Sequence, residues 1–313
     1  MHIPDGFIDG KTAVVTAALS CAGVGIALQR VRGQLPPRRV PMLGLSAAFL
    51  FAAQMVNFPV AAGTSGHLIG GALVTALLGP AAAIVVVTAV LIVQSFLFAD
   101  GGVVALGANV FNMAILGAGG SALVMSAVKR VLPEKRGLVT AVAFGAWCSV
   151  VFAAIGCAGQ LAWSGTASWK AAFPAMTITH IVIGLGEGLI TALVFLFVQR
   201  TRPDVIENRT VSERQGDFIF VSLLVTFGIV LFVAPFACPW PDGLEAVAER
   251  LGFEQKAADP IPAPMPDYAV PGVHWAVGTT ALAGAIGSVV VFALAWLLGR
   301  VLVPRVEVSG NPK

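Results

Sequence analysis

The sequence predicts an all-α, polytopic integral membrane protein of about nine transmembrane helices, with the amino terminus outside and the carboxyl terminus inside. Three observations carry that reading: 57% apolar against 11% charged residues with a mean hydropathy of +0.88, a series of long uncharged runs, and basic residues gathered between those runs. An ordinary soluble domain carries roughly 25% charged residues, and sixteen acids with nineteen bases among 313 residues cannot cover an aqueous surface. A cytosolic enzyme and a disordered binder are thereby excluded. The dispersed net charge of +3 offers no footprint for nucleic acid.

A membrane span needs ~20 mostly apolar residues. The candidate runs are residues 12–29, 41–58, 68–98, 103–128, 138–161, 174–199, 218–235 and 275–298. Orientation follows from the basic clusters, which gather on the cytoplasmic side. They are Arg30, Arg32, Arg38 and Arg39; Lys129, Arg130, Lys135 and Arg136; Arg200, Arg202, Arg209 and Arg214; and Arg300, Arg305 and Lys313, together fifteen of the nineteen bases. All four fall inside only if residues 68–98 cross twice. Gly79-Pro80 is the natural break, because proline lacks an amide donor and displaces the residue before it from helical geometry. The first of the two arms is short, so it is expected to begin below the outer surface, after a loop from Pro59 to His67 that dips into the protein. Residues 1–200 then form a seven-helix unit, 201–216 a cytoplasmic linker, and 217–313 a two-helix appendage with an outer loop at 236–274.

Cys21, Cys148, Cys157 and Cys238 lack metal or redox spacing. Gly-Lys-Thr at residues 10–12 is one residue short of a phosphate loop counted from Gly6, and no strand precedes it. The opening Met-His-Ile-Pro-Asp-Gly lacks a basic region and a cleavage site, so Met1 is expected to be the working terminus.

That terminus holds the chemistry. The Met1 amine, the His2 peptide nitrogen and the His2 imidazole can chelate one cation through a five-membered and a six-membered ring. A further imidazole, for which His67 is available on the same outer face, completes an all-nitrogen square plane, the geometry that favours Ni(II) or Cu(II) over tetrahedral Zn(II). Asn57, Ser65, Gln94, Asp100, Asn109 and Asn112 are candidates for fixing the tautomer and direction of His67, against the alternative of ordinary interhelical hydrogen bonds. His180 and Glu187, seven residues apart and on one helix face, either mark an ion path or form a buried pair that stabilises packing.

Met-His-Ile-Pro-Asp-Gly-Phe at residues 1–7, Gly-Thr-Ser-Gly-His-Leu at 63–68, Gly79-Pro80 and Gln-Ser-Phe-Leu-Phe-Ala-Asp-Gly-Gly at 94–102 resemble the substrate-capturing component of nickel and cobalt energy-coupling-factor transporters, the CbiM/NikM family. The appendage, with Pro-Asp-Gly-Leu-Glu at 241–245 and Pro-Asp-Tyr-Ala-Val-Pro-Gly at 266–272, is similar to the small accessory component of those systems, here fused to the main one. The resemblance implies a transported Ni2+, or Co2+, held by the Met1 amine, by His2 through backbone and side chain, and by His67. It also implies a separate transmembrane coupling subunit and separate ABC-type ATPase subunits, a cell-membrane location and no catalysis by this chain. Nickel is favoured on planar geometry alone. The competing readings are a self-sufficient secondary carrier, for which His180 and Glu187 are the charged candidates, and a membrane metalloenzyme, which needs an open metal position beside a base.

Overall fold

The computed structural model describes residues 1–132, 134–203, 206, 215–258 and 260–303. Helix α1 (Gly10–Gln34) opens where the Asp9 carboxylate accepts the Thr12 amide at 2.9 Å, an N-cap, and it closes ahead of Pro36-Pro37. Helix α2 (Val40–Gln54) starts with a proline in its first turn. It leads into a short antiparallel hairpin, β1 (Phe58–Ala61) and β2 (Thr64–Gly66), in which Phe58 faces Gly66. Thr64, Ser65 and His67 are buried whereas Pro59, Ala61, Ala62 and Gly63 are exposed, so only the second half of the 59–67 segment dips into the protein.

The expected break is present: α3 (Gly71–Leu78) and α4 (Pro80–Phe98) meet at Gly79, whose φ of 87° suits glycine and few other residues. Helix α5 (Leu106–Val131) is wound as a π-helix over Val110–Gly119. Helices α6 (Glu134–Trp163) and α7 (Trp169–Thr201) pack along each other. The appendage contributes α8 (Gln215–Phe232), a short α9 (Gly243–Leu251) in the loop, and α10 (Ala276–Leu302).

Among the described residues seven helices are long and apolar enough to cross a membrane: α1, α4, α5, α6, α7, α8 and α10. At 15 and 8 residues, α2 and α3 are shorter than the ~20 residues of a straight span, and the difference between seven and nine lies in these two. α4 is the central helix, with 72% of its apolar stretch buried, whereas α8 is peripheral at 17%. Most of the linker 201–216 and residues 304–313 lie outside the described residues, and with them Arg209, Arg214, Arg305 and Lys313 of the basic clusters.

The appendage docks on α2 through α8 and α10. Its contacts use small residues that let helices approach closely: a side chain at Gly287 would run into the Phe51 ring, and one at Gly284 would meet Val230 and Met55. Gly287→Leu therefore overpacks this seam at a cost of about 1–3 kcal/mol. A lowered thermal midpoint in detergent is expected, whereas Gly228→Leu, where nothing lies within 4 Å, leaves the midpoint in place. Docking carries the 236–274 loop to the end of the bundle where residue 1 and the hairpin meet.

Candidate metal centre

The first residues run as a buried strap over the turn between α4 and α5. Ile3 is fully buried and clamped by Asn109, whose Oδ1 accepts the Ile3 amide at 2.7 Å and whose Nδ2 donates to the Ile3 carbonyl at 3.0 Å. The Gly102 amide also donates to that carbonyl, at 2.9 Å, and Asp5 accepts the Ala105 amide at 2.8 Å. The paired glycines are a steric requirement here. A Cβ on Gly101, which has φ of 87°, would press on His2 and Asn109, and one on Gly102 would overlap Asp5.

At its start the strap delivers the Met1 amine onto two partners, His67 Nε2 at 2.5 Å and Asp242 Oδ2 at 2.5 Å. His67 Nδ1 lies 3.0 Å from the Leu68 carbonyl. A carbonyl only accepts, so Nδ1 carries the hydrogen and Nε2 presents its lone pair to the amine. The His2 ring stacks on the His67 ring with centroids 5.1 Å apart. His2 Nδ1 sits 3.0 Å from Asp100 Oδ1, and its Nε2 is buried without a hydrogen-bond partner among the described residues. A chelate through Nδ1 requires that nitrogen to leave Asp100, and a half-turn of the ring about Cβ–Cγ accomplishes this.

The loop that carries His67 is bolted to α7. Both oxygens of the fully buried Glu187 carboxylate are taken by backbone donors, the Ile69 amide at 2.7 Å and the Gly70 amide at 2.8 Å. His180 and Glu187 do not pair with each other: His180 Nδ1 donates to its own helix at the Met176 carbonyl, 2.7 Å away.

None of the six polar residues singled out beside the ligands bonds to the His67 ring, whose tautomer is set by Leu68. Asp100 holds His2, and Asn109 holds Ile3. Ser65 donates to the Trp240 carbonyl at 2.7 Å and so anchors the outer loop. Gln94 reaches Tyr268 at 3.5 Å. Asn112 pairs with Gln160 through two bonds of 2.8 and 2.9 Å, and Asn57 serves the outer loop through its carbonyl, which accepts the Cys238 amide at 2.9 Å.

Two residues of the outer loop belong to the site and were not among the sequence candidates. Asp242 caps α9 with Oδ1, at 2.7 and 2.9 Å from the Leu244 and Glu245 amides, while Oδ2 takes the Met1 amine. Tyr268, stacked on Phe98 with centroids 4.6 Å apart, donates to Asp100 at 2.6 Å. The loop is further fastened by Ala258 to Asp5 at 2.9 Å and by Met265 to Leu97 at 2.9 Å, and it roofs the strap.

The electrostatics suit a cation. Burial, then the nearby amine, push the His67 imidazole below its ordinary value, which keeps its lone pair available. For Asp242, burial acts to raise the carboxyl, but the charge of the amine and the neighbouring His67 outweigh it and hold the group well below the usual carboxylate range. Asp100 is likewise held low, with burial opposed by His2 and by the bond from Tyr268. Among the described residues no three His, Cys, Asp or Glu side chains are grouped closely enough to hold a metal. The buried Met1 amine adds a main-chain nitrogen beside the His67 ring.

Residues 2–205 match the model of the cobalt uptake substrate-specific transmembrane region, CbiM, and residues 216–304 match the PDGLE domain. A protein of Archaeoglobus fulgidus, provisionally named a fused nickel transport protein NikMN, is 36% identical over 303 residues, 96% of this chain and 98% of that one. A cobalt transport protein CbiM of Desulforamulus reducens is 31% identical over 231 residues, 71% of this chain and 90% of the relative. A crystal structure of a transition metal transporter superposes with a TM-score of 0.58 at 31% identity, over 64% of this chain and 93% of that chain.

Proposed function

The chain belongs to the CbiM family of cobalt uptake substrate-specific transmembrane proteins and carries a PDGLE domain behind it, and from that premise we propose that it captures Ni2+, with Co2+ as the alternative, at the Met1 amine, His2 and His67. As a metal transport component it is a multi-pass membrane protein. The observation that carries the proposed site is the burial of the first amine against a second imidazole: Met1 is 5% exposed and its nitrogen lies 2.5 Å from His67 Nε2. Hydrogen-bond partners that today share a proton are the groups a metal would bridge.

In this reading α2 and α3 complete nine crossings, the amino terminus faces outward, and the cytoplasmic ends of the helices dock a transmembrane coupling subunit that transmits ATP hydrolysis by separate ABC-type subunits. Four nitrogens fill the plane and leave little room for a reacting water beside a base, so the reading is of a carrier of its substrate rather than an enzyme. Glu187 is fully used by the Ile69 and Gly70 amides, which argues against a coupling-ion site there and hence against a self-sufficient secondary carrier.

Metal capture must strip protons, because the ammonium and the His2 amide coordinate only after losing them. Nickel titration by calorimetry in two buffers of different ionisation enthalpy is expected to show about one to two protons released per ion. Affinity should accordingly fall as pH falls. A proton count near zero overturns the amino-terminal site.

A further inference from the structure

Beneath the Met1 amine lies a small pocket of about 10 Å³, bounded by Met1, His67, Ile69, His180, Asp242 and Gly243, room for about one water or ion. Two imidazoles border it in the same chemical state. In His67 the Nδ1 hydrogen goes to the Leu68 carbonyl, and in His180 it goes to the Met176 carbonyl. Each is thus locked with its lone pair on Nε2, the support that metal-binding histidines receive from an acceptor on the opposite ring nitrogen. His67 spends its lone pair on the amine. His180 does not: its ring is 1% exposed and its Nε2 has no hydrogen-bond partner among the described residues. A buried acceptor left without a donor is costly, and such groups in a membrane protein call for an explanation.

Gly243 keeps that nitrogen open. A Cβ at residue 243 would sit 2.8 Å from His180 Nε2, closing the approach from the pocket. His180 is eleven residues into α7, roughly 16 Å along the helix from Trp169 at 1.5 Å per residue.

We propose that His180 Nε2 is a second, transient ligand for the divalent transition-metal cargo, receiving the ion as it leaves the amino-terminal nitrogens. The inference rests on the capture site described above. With one imidazole and no closed cage around it, the station holds the ion weakly, as a transit point must. It follows that His180 governs movement of the metal and not its equilibrium capture.

The test uses the full chain with His180→Phe, which removes the lone pair, and independently with His180→Gln, which keeps a polar side chain at the position but no imidazole nitrogen. Nickel affinity is measured by calorimetry on the purified proteins, and uptake of radioactive nickel is measured in cells producing each chain. The expected result is affinity within about threefold of the unaltered chain and uptake lowered about tenfold or more in both variants, the scale on which metal-supporting groups act. Unchanged uptake in either variant, or a loss of affinity as large as the loss of uptake, overturns the proposal. Failure of the unaltered chain to bind nickel, in contrast, refutes the capture site itself.

Discussion

One residue added ahead of Met1 abolishes tight nickel binding. The added peptide bond turns the terminal amine into an amide, whose lone pair is delocalised, and moves the new amine by up to ~3.8 Å, one Cα step. Nothing at the site can absorb that step. Met1 is 5% exposed, its nitrogen is wedged between His67 and Asp242, and two residues later Ile3 is gripped on both sides by Asn109. The strap cannot slide back, so the chelate loses its first nitrogen and the five-membered ring that nitrogen closes. A loss of roughly a hundredfold or more in affinity is expected, about 3 kcal/mol. The measurement is nickel calorimetry on protein whose first residue has been checked by mass spectrometry, with His67→Ala as the companion that removes the opposite ligand. An extended chain that binds as tightly as the original would place the metal elsewhere.

Glu187→Ala both destabilises the protein and loosens its grip on the ion. Truncation leaves the Ile69 and Gly70 amides, now 2.7 and 2.8 Å from carboxylate oxygens, without acceptors in a dry interior. At about 1–3 kcal/mol for each orphaned donor, the thermal midpoint should fall by many degrees. The same two amides hold the backbone immediately after His67, so its imidazole loses its fixed direction, and nickel affinity should fall about tenfold, the usual cost of losing such support. Glu187→Gln should be intermediate, since a carboxamide offers one oxygen to two donors. A thermal midpoint unchanged in the alanine variant would show that the two bonds are dispensable.

The membrane class, the break at Gly79-Pro80 and the buried approach to His67 were legible because each follows from short-range rules: apolar run length, proline chemistry, and a topology that left too little chain for a full span. The contact of Met1 with His67 was legible from chelate chemistry at the terminus together with a topology that set His67 on the same face. The part played by Asp242 was not. Its local signal was present, because Asp-Gly-Leu-Glu has the spacing of a capping box and indeed starts α9. What no local rule encodes is that its second oxygen closes a contact across 241 residues. Tyr268 was hidden in the same way, its hydrogen bond to Asp100 spanning 168 residues. His180 and Glu187 were correctly placed on one helix face, but of the two readings left open for them the buried pair does not form, because His180 Nδ1 and both Glu187 oxygens take backbone partners.

The outer loop reaches Met1 through Asp242 and Asp100 through Tyr268 while remaining covalently continuous with the helices beneath it. A tethered partner has an effective concentration set by its linker and not by expression level. Every copy therefore possesses one lid and cannot lose it by dilution, share it with a neighbour or compete for it, so the stoichiometry of assembly between these two units is fixed at translation.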